Sequence, residues 1–453
     1  MFKNPEFNRY ITYKSSPGFW LWPPAMILFV TWILLSAFQI QHHGVATILV
    51  YCYCFTIFIY GLVNAGTVFS GEFKNKTWDF QRLSPMRPIS LVVGKLFGST
   101  AYSWYIGGLF LLVSYLTIMQ SGNEILMNGY FKTLVLWVSI GLFSHILAFW
   151  ASAGAGSSGF EAGLVAAVLL LMMLWDLIEL GGGGAQMHWY GFEIDDWSFV
   201  SCSLIFYGFW LFRASVATTW EKMQYERGYP IDWFLFLLSV GLYLAGFSYK
   251  EPDEALLIFS VVMMITLYFG LFFCSGDWDK YRVVAKGLRN KSLSTVLKHV
   301  PRWTSALVLL IFSIVFALFY LGGMEGYLHA TIMSSVTLFI LRDGIVFHII
   351  FMKKMMKRGV LLLILYYLFA YKLLPDLLAL DFSGWADNAG EDANMQGVYL
   401  YNLFYPNVSR SPWLLASLPV FIECALGLWL LKIRLKKIDE MDIENEKRER
   451  LSG

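Results

Sequence analysis

The chain has 453 residues, of which 57% are hydrophobic, 18% aromatic and only 15% charged, with a formal net charge of +2. Soluble domains carry about 25% charged residues, so this composition excludes a soluble protein with polar surface on all sides. The five cysteines lie in apolar stretches without a CxxC pair, which indicates neither a disulfide framework nor a metal site. We therefore predict an integral membrane protein.

Long apolar stretches recur along the whole chain. A membrane-spanning helix needs roughly 20 mainly apolar residues. In chain order, the sequence predicts an amphipathic, basic N-terminal segment and then twelve spanning helices, at residues 18–40, 46–69, 92–118, 131–153, 160–180, 197–217, 233–248, 255–275, 303–321, 330–349, 360–379 and 413–431. The predicted fold class is all-α, with about twelve transmembrane helices.

The basic residues indicate the orientation. If the N-terminus is cytoplasmic, all but four of the 34 Lys and Arg residues fall on cytoplasmic segments, the exceptions being Lys132, Lys250, Lys372 and Arg410. Cytoplasmic loops of membrane proteins carry such an excess of Lys and Arg. We therefore predict a multi-pass protein of the cell membrane, with both termini in the cytoplasm.

Short sequence matches suggest an internal duplication. Ser70-Gly71-Glu72 recurs as Ser275-Gly276-Asp277 after 205 residues, and LWDLIEL (Leu174–Leu180) recurs as LPDLLAL (Leu374–Leu380) after 200 residues. Because both halves would begin and end inside, they form a parallel repeat. The predicted organisation is a first six-helix half at 1–228, which includes the N-terminal amphipathic segment, a second six-helix half at 229–438 and a charged tail at 439–453.

The loop after the second predicted helix carries an ordered motif, GEFKNKTWDFQRLSPMRPISLVVGK. It resembles the cytoplasmic loop of type-2 ABC transporter permeases, in which an acid and a Thr-Trp-acid step precede Leu-Ser-Pro, a second proline and Val-x-Gly-Lys. The matching positions here are Glu72, Thr77-Trp78-Asp79, Leu83-Ser84-Pro85, Pro88 and Val93-Gly94-Lys95. Pro88 is expected to begin the next helix, since proline is tolerated in a first turn.

The resemblance implies that this loop is a coupling helix, which docks into a cleft of a cytoplasmic ATPase. The coupling residues would be Glu72, Trp78, Arg82, Leu83, Ser84, Pro85, Arg87 and, in the second half, Asp277. We expect Glu72 to pair with Lys74, Lys76 or a cation of the partner, and Trp78 to lie at the lipid headgroup level. The second half keeps the acid at Asp277 but lacks Leu-Ser-Pro, so coupling by the two halves is expected to differ.

The chain has no phosphate-binding loop of the form GxxxxGK[ST]. We therefore expect no enzyme activity and no cofactor in this chain. The resemblance implies an exporter permease, in a bacterial inner membrane, that works with two copies of a separate cytoplasmic ABC ATPase carrying ATP and Mg²⁺. Membrane lipids and further envelope or accessory subunits are compatible partners, and nucleic acid is not an expected one. The sequence does not define the exported substrate.

Ionisable residues inside predicted spans are candidates for a substrate pathway, because charges are costly there. They are Asp176, Glu179, Lys372, Asp376 and Glu423. The alternative is that the residues near span ends are simply hydrated among the headgroups. A basic stretch, Arg342–Gly359, could contact the ATPase or anionic lipid. His145 is interpreted as a hydrogen-bonded interior residue.

Three other functions stay open. An intramembrane enzyme would need convergent catalytic residues, and neither an HExxH motif nor a Ser-His or Asp-Asp arrangement at helical spacing is present. An ion-coupled carrier would need facing charges near the membrane midplane, whereas the charges here are predicted nearer the surfaces. A non-transporting membrane scaffold could share the architecture.

Overall fold

The computed structural model of the protein describes residues 4–13, 17–36, 41–83, 86–120, 122, 124–155, 186–224, 231–248, 250–274, 278–321, 323–351, 365–368 and 420–433. These residues are mostly α-helical, and the chain divides into two compact units. Unit 1 comprises residues 1–188 and 192–228, and unit 2 comprises residues 189–191 and 229–453. The assignment of six spanning helices to each half stays a prediction.

The first half of the chain contributes seven helices and two short strands within the described residues. They are α1 (Pro5–Tyr13), α2 (Pro17–Ser36), α3 (His42–Lys74), α4 (Trp78–Arg82), α5 (Pro88–Gln120), α6 (Glu124–Ala155), β1 (Gln186–Trp189), β2 (Phe192–Asp195) and α7 (Asp196–Gln224). α3 contains a π-helical segment, Thr56–Gly61.

In the part of the second half that the structure describes, six helices lie between residues 231 and 351. They are α8 (Ile231–Ala245), α9 (Pro252–Cys274), α10 (Trp278–Arg289), α11 (Leu293–His299), α12 (Trp303–Leu321) and α13 (Gly323–Phe351). Residues 365–368 and 420–433 are also helical, and the second of these stretches is called α14.

Among the described residues, eight helices are long and apolar enough to cross a membrane: His42–Lys74, Pro88–Gln120, Gly129–Gly154, Asp196–Met223, Ile231–Ser248, Pro252–Phe272, Trp303–Leu321 and His329–Ile350. Each coincides with one of the twelve predicted spans. Large apolar side chains on them face outward, such as Phe312 and Phe319, as contact with lipid requires. The protein is therefore an all-α, multi-pass membrane protein.

The other four predicted spans are only partly described. The first corresponds to the shorter apolar helix Trp20–Ser36. The span at 160–180 lies outside the described residues, as does that at 360–379 except for residues 365–368, and the last is described from residue 420. The count of twelve and the parallel repeat stay predictions.

Prolines fix the starts of several helices. Pro5, Pro17, Pro88 and Pro252 are each the first residue of their helix, where the missing N–H costs no hydrogen bond. The prediction that Pro88 begins a helix is confirmed.

Proline also occurs inside α2, at Pro23 and Pro24. Pro24 cannot donate to the carbonyl of Trp20 one turn earlier. The hydroxyl of Tyr105 on α5 donates to that carbonyl instead, at 2.6 Å. A side chain of a neighbouring helix thus satisfies an acceptor that proline leaves open.

The two strands are a local departure from the all-α prediction. Tyr190 and Gly191 form the turn with φ of 47° and 80°, a combination typical of two-residue hairpins. Asp195 follows as the cap of α7, accepting from the Ser198 backbone at 3.1 Å and from Lys132 at 3.0 Å. Burial raises the pKa of Asp195, but these hydrogen bonds and the charge of Lys132 outweigh it, so the pKa is lowered overall.

Candidate functional site

The loop that resembles a coupling helix begins with a defined turn at the end of α3. The backbone N–H of Thr77 donates to the carbonyl of Glu72 at 3.0 Å, and that of Lys76 donates to the carbonyl of Phe73 at 3.3 Å. Lys76 has a φ of 57°, the left-handed conformation with which many helices end. This Schellman motif fixes where α4 begins relative to the end of the span.

Trp78, the first residue of α4, is buried. Its ring centroid lies 5.4 Å from that of Phe69 and 5.3 Å from that of Phe73, both on the last turns of α3. Protein side chains enclose the indole, so Trp78 packs against the protein, and its position at the lipid headgroup level stays a prediction. Trp78 anchors α4 to the core of unit 1.

The carboxylate of Glu72 is the centre of a buried polar network. Its Oε1 atom accepts hydrogen bonds from three side chains: Lys95 Nζ, Gln81 Nε2 at 2.5 Å and Arg9 Nη2 at 3.3 Å. These donors belong to α5, α4 and α1, so Glu72 on α3 joins four helices. Lys95 is fully buried, and Glu72 and Gln81 are buried as well. We call Glu72, Lys95, Gln81, Arg9 and Glu6 the Glu72 network.

The expected pairing of Glu72 with Lys74 or Lys76 is wrong. Both lysines are exposed, and neither forms an ion pair with a described residue. A carboxylate buried in the helix bundle requires a buried cation, since its desolvation costs several kcal/mol. Lys95 meets this requirement from the next helix, 23 residues along the chain.

The N-terminal helix α1 completes the network. Glu6 pairs with Arg9 at 3.0 Å, so the four charged members of the network carry two positive and two negative charges. Asn4 caps α1 by accepting from the backbone of Glu6 at 3.0 Å, and its Nδ2 donates to the carbonyl of Ser90 on α5 at 2.6 Å. The predicted amphipathic segment is therefore docked against α5 through specific polar contacts.

Two glycines of α5 permit this close contact. A Cβ atom at Gly94 would lie 2.5 Å from Asn4 Oδ1, and one at Gly98 would lie 3.1 Å from the Tyr10 ring. Burial and the nearby carboxylate of Glu72 raise the pKa of Tyr10 to about 12. The phenol is therefore neutral under physiological conditions and adds no charge to the network.

The outer side of α4 is apolar and exposed. Phe80 is 77% exposed and Leu83 is 83% exposed, and residues three apart lie on the same face of a helix. Asp79 and Arg87 are exposed beside them, and Arg82 is half-buried. Ser84 and Pro85 lie outside the described residues. α4 thus buries Trp78 and Gln81, while Phe80 and Leu83, the residue that follows α4, present two large apolar side chains outward.

Unit 2 contains a similar turn at a place that the sequence comparison missed. Lys291 has a φ of 53°, and the backbone N–H of Ser292 donates to the carbonyl of Gly287 at 2.9 Å. Asn290-Lys291-Ser292 adopts the same turn as Asn75-Lys76-Thr77, 215 residues earlier, whereas the predicted repeat pairs Glu72 with Asp277 at an offset of 205 residues. Asp277 itself lies outside the described residues. The helix α10 precedes this turn and separates it from the spanning helix α9.

Of the predicted pathway residues, the structure describes Glu423 alone; Asp176, Glu179, Lys372 and Asp376 lie outside the described residues. Glu423 on α14 accepts a hydrogen bond from Arg342 Nη1 at 3.1 Å. The same guanidinium donates to Asp343 at 3.1 Å, and Asp343 accepts from the hydroxyl of Tyr366 at 2.8 Å. Glu423 thus has a specific partner on another helix.

The sequence interpretation placed Arg342 in an exposed basic element, and this is wrong. Arg342 is 6% exposed and Asp343 is 3% exposed. Arg342 lies eight residues before the end of the candidate span at Ile350, which is about 12 Å along the helix. The structure therefore places buried charges inside a span, where charges are costly and mark functional candidates.

A third polar feature lies between α3 and α6. The ring of His145 is hydrogen-bonded through Nε2 to the carbonyl of Ile57, at 3.0 Å, in the π-helical segment of α3. A Cβ atom at Gly61 would lie 2.4 Å from that nitrogen. His145 is therefore an interior, hydrogen-bonded residue, as predicted. Within the part of the chain that the structure describes, no group of three or more His, Cys, Asp or Glu residues could hold a metal ion.

Comparison with known proteins identifies no relative: no family model, no curated protein and no solved structure matches the chain.

Proposed function

We propose that the chain is the membrane-spanning permease of an ABC exporter that is driven by separate ATPase subunits. In this proposal it has twelve spans in two parallel halves and lies in a bacterial inner membrane with both termini in the cytoplasm. The ATPase supplies ATP and Mg²⁺, because the chain has no phosphate-binding loop. The resemblance of Glu72–Lys95 to the coupling loop of type-2 permeases supports the assignment to that family.

The observation that carries the proposal is the two-sided character of α4. A helix of five residues does not persist on its own in water. Here Trp78 and Gln81 hold it against unit 1, while Phe80 and Leu83 extend outward. Aromatic side chains are enriched at protein–protein interfaces, and a few buried anchors carry most of the binding energy. The arrangement suits a helix that inserts into a cleft of a partner.

The Glu72 network would transmit motion of the ATPase to the membrane. Gln81 lies on the docking helix, and the carboxylate it binds also binds Lys95 on α5 and Arg9 on α1. A displacement of α4 would therefore move or strain α3, α5 and α1 together, because buried ion pairs are costly to break. The network gives the proposed coupling helix a direct connection to two spanning helices.

Two copies of the ATPase would serve the two halves of one chain. The proposed contact of Phe80 and Leu83 with the ATPase belongs to unit 1, where the Leu-Ser-Pro motif follows α4. In unit 2 the corresponding turn leads into α11, a longer helix of different sequence. The two halves would then engage their ATPase copies through different surfaces.

The proposal is tested by purifying the full chain from its native membranes and measuring ATP hydrolysis in the eluate. Phe80→Ser/Leu83→Ser removes the two exposed apolar side chains without touching the Glu72 network. Removing one hot-spot side chain costs about 2 kcal/mol or more, and Phe80 is the aromatic anchor of this pair, so we expect the affinity for the ATPase to fall roughly thirtyfold or more and the recovered ATPase activity to fall with it. Phe192→Ser, which removes an exposed aromatic side chain from β2, is the matched control and should retain the activity.

Equal ATPase recovery with both variants, or none with the wild-type chain, would contradict the proposal. Glu72→Lys is unsuitable for this test, although Glu72 belongs to the motif. It would bury a third cation beside Lys95 and Arg9, and the expected result is unfolding, not loss of docking.

An ion-coupled carrier is the second candidate, and the buried cluster of Arg342, Asp343 and Glu423 favours it. The sequence predicts charges near the membrane surfaces, which disfavours a carrier, whereas Arg342 lies within the candidate span His329–Ile350. If transport depends on an ion gradient, an ionophore abolishes it while ATP is maintained. The ABC proposal expects the opposite dependence.

A further inference from the structure

The helical hairpin α10–α11 of unit 2 is tied closely to two spans. α9 ends at Cys274 and α10 begins at Trp278, while α11 ends at His299 and the spanning helix α12 begins at Trp303. Four residue steps cover at most about 14 Å. The hairpin is therefore held at the membrane surface from both ends.

The two helices of the hairpin are packed against each other. A Cβ atom at Gly287 on α10 would lie 3.0 Å from Val296 Cγ2 on α11, so the glycine permits close approach. The left-handed Lys291 and the hydrogen bond from Ser292 to Gly287 fix the turn between them. The hairpin therefore presents its surface as one unit.

Three leucines of this hairpin are exposed. Leu288 is 65% exposed, Leu293 is 70% exposed and Leu297 is 45% exposed. Leu293 and Leu297 are four residues apart and share one face of α11. A segment outside the spans that exposes this much aliphatic surface requires a cover, which can be protein or lipid.

The charges beside these leucines are all of one sign. From Lys280 to Arg302 the sequence has seven Lys and Arg residues and no Asp or Glu. Lys286, Arg289 and Lys291 are exposed, and none of them forms an ion pair with a described residue. Unpaired cations interleaved with exposed leucines complement an anionic, apolar surface.

We propose that the α10–α11 hairpin binds the anionic lipid headgroups of the leaflet into which α9 and α12 lead. The leucines would enter the boundary between headgroups and acyl chains, and the three cations would contact lipid phosphates, as interfacial basic helices do. A lipid surface is favoured over a protein partner because the hairpin is held at the membrane from both ends and no acidic residue interrupts its cations from Lys280 to Arg302, whereas α4 contains Asp79. The inference uses only the span ends and the hairpin, so it is independent of the proposed transport function.

The test uses the full chain in lipid nanodiscs with a single fluorophore on Leu293→Cys, after the natural cysteines are replaced. Quenching of the fluorophore by spin-labelled lipid is compared between discs of phosphatidylcholine alone and discs that also contain phosphatidylglycerol. Each Lys or Arg near an anionic surface contributes about fivefold in binding. Lys286→Glu/Arg289→Glu/Lys291→Glu should therefore weaken the hairpin's association with anionic discs by on the order of a hundredfold, seen as loss of quenching.

A charge-matched control is available on the other loop. Lys74→Glu/Lys76→Glu/Arg87→Glu changes three exposed cations of unit 1 and should leave quenching at position 293 unchanged. Thermal unfolding of each variant in detergent shows whether the fold is retained. The proposal is overturned if quenching is independent of phosphatidylglycerol, or if both triple variants reduce it equally. It is also overturned if the fluorophore is shielded only when an ATPase co-purifies, since α11 would then be a second docking helix.

Discussion

The most informative perturbation is the removal of the buried ammonium group of the Glu72 network by Lys95→Met. Methionine has a length and volume close to the apolar part of lysine, so the change removes the charge and leaves no large cavity. The carboxylate of Glu72 stays buried, with Gln81 and the half-exposed Arg9 as its remaining donors. The substitution therefore isolates the contribution of one buried ion pair.

The magnitude follows from the burial of both partners. The Lys95 side chain is 0% exposed and the Glu72 side chain is 11% exposed, and removing one partner of a buried pair costs about 3–5 kcal/mol. Because two donors to Glu72 remain, we expect the lower value, about 3 kcal/mol. For a unit of some two hundred residues this corresponds to a fall of about 6–12 °C in Tm.

The double variant Glu72→Gln/Lys95→Met removes both charges together. It leaves no uncompensated buried ion, and replacing both members of a buried pair is often neutral or stabilising. We therefore expect a Tm within about 3 °C of wild type. Lys74→Met, which alters an exposed lysine of the same loop, should have little effect and serves as the control.

The assay is thermal unfolding in detergent, followed by the reaction of the natural cysteines with a thiol-reactive dye. Cys52, Cys54 and Cys424 are partly buried and free, so they become reactive as the helices separate. The reasoning is refuted if Lys95→Met unfolds at the wild-type temperature. It is equally refuted if the double variant is no more stable than Lys95→Met alone.

Three further predictions concern other contacts. Gly61→Ala should destabilise the protein by about 1–3 kcal/mol, because the added methyl group meets a histidine ring; Gly71→Ala, with open space around it, should be neutral or slightly stabilising in the same unfolding assay. Asp195→Ala should cost about 1 kcal/mol through loss of the helix cap. Since the folded pKa of Asp195 is lowered, its contribution is complete above pH 4 or so and is lost as the pH falls through the folded value, which unfolding measured against pH would reveal. Arg342→Met should cost about 3–5 kcal/mol, and Arg342→Met/Glu423→Gln should recover part of that loss; no recovery would show that the two residues are not coupled.

Hydropathy predicted the spans well, because membrane crossing depends on local composition over about 20 residues. Eight predicted segments coincide with helices that can cross a membrane. The start of α5 was also predictable, since Pro88 imposes a local backbone preference. The hairpin between β1 and β2 was not predicted, because Tyr190-Gly191 is not one of the dipeptides that typically signal a two-residue hairpin turn.

The partners of buried charges were not predictable from neighbouring residues. Lys74 and Lys76 were nearest to Glu72 in sequence, yet the partner is Lys95 on the next helix. A signal was available, because a lysine just inside a predicted span itself requires an acid. Similarly, the sequence placed Arg342 in the basic stretch Arg342–Gly359. Only the packing of α13 against α14 shows that Arg342 binds Glu423.

The turns at Lys76 and Lys291 share a backbone conformation that the sequence does not display. The predicted repeat pairs Glu72 with Asp277 at an offset of 205 residues, whereas these two turns are 215 residues apart, and α10 lies between the span and the turn in unit 2. The repeat stays a prediction.

The central claim is that Phe80 of α4 and Leu83, which follows α4, lie in a cleft of a separate ATPase. It is tested most directly by placing a photo-crosslinking amino acid at position 83 and irradiating native membranes. The predicted result is a crosslink to a protein with a GxxxxGK[ST] loop, and no such crosslink from position 192 on β2. Crosslinks from position 83 to lipid alone, or to a protein without that loop, would contradict the account.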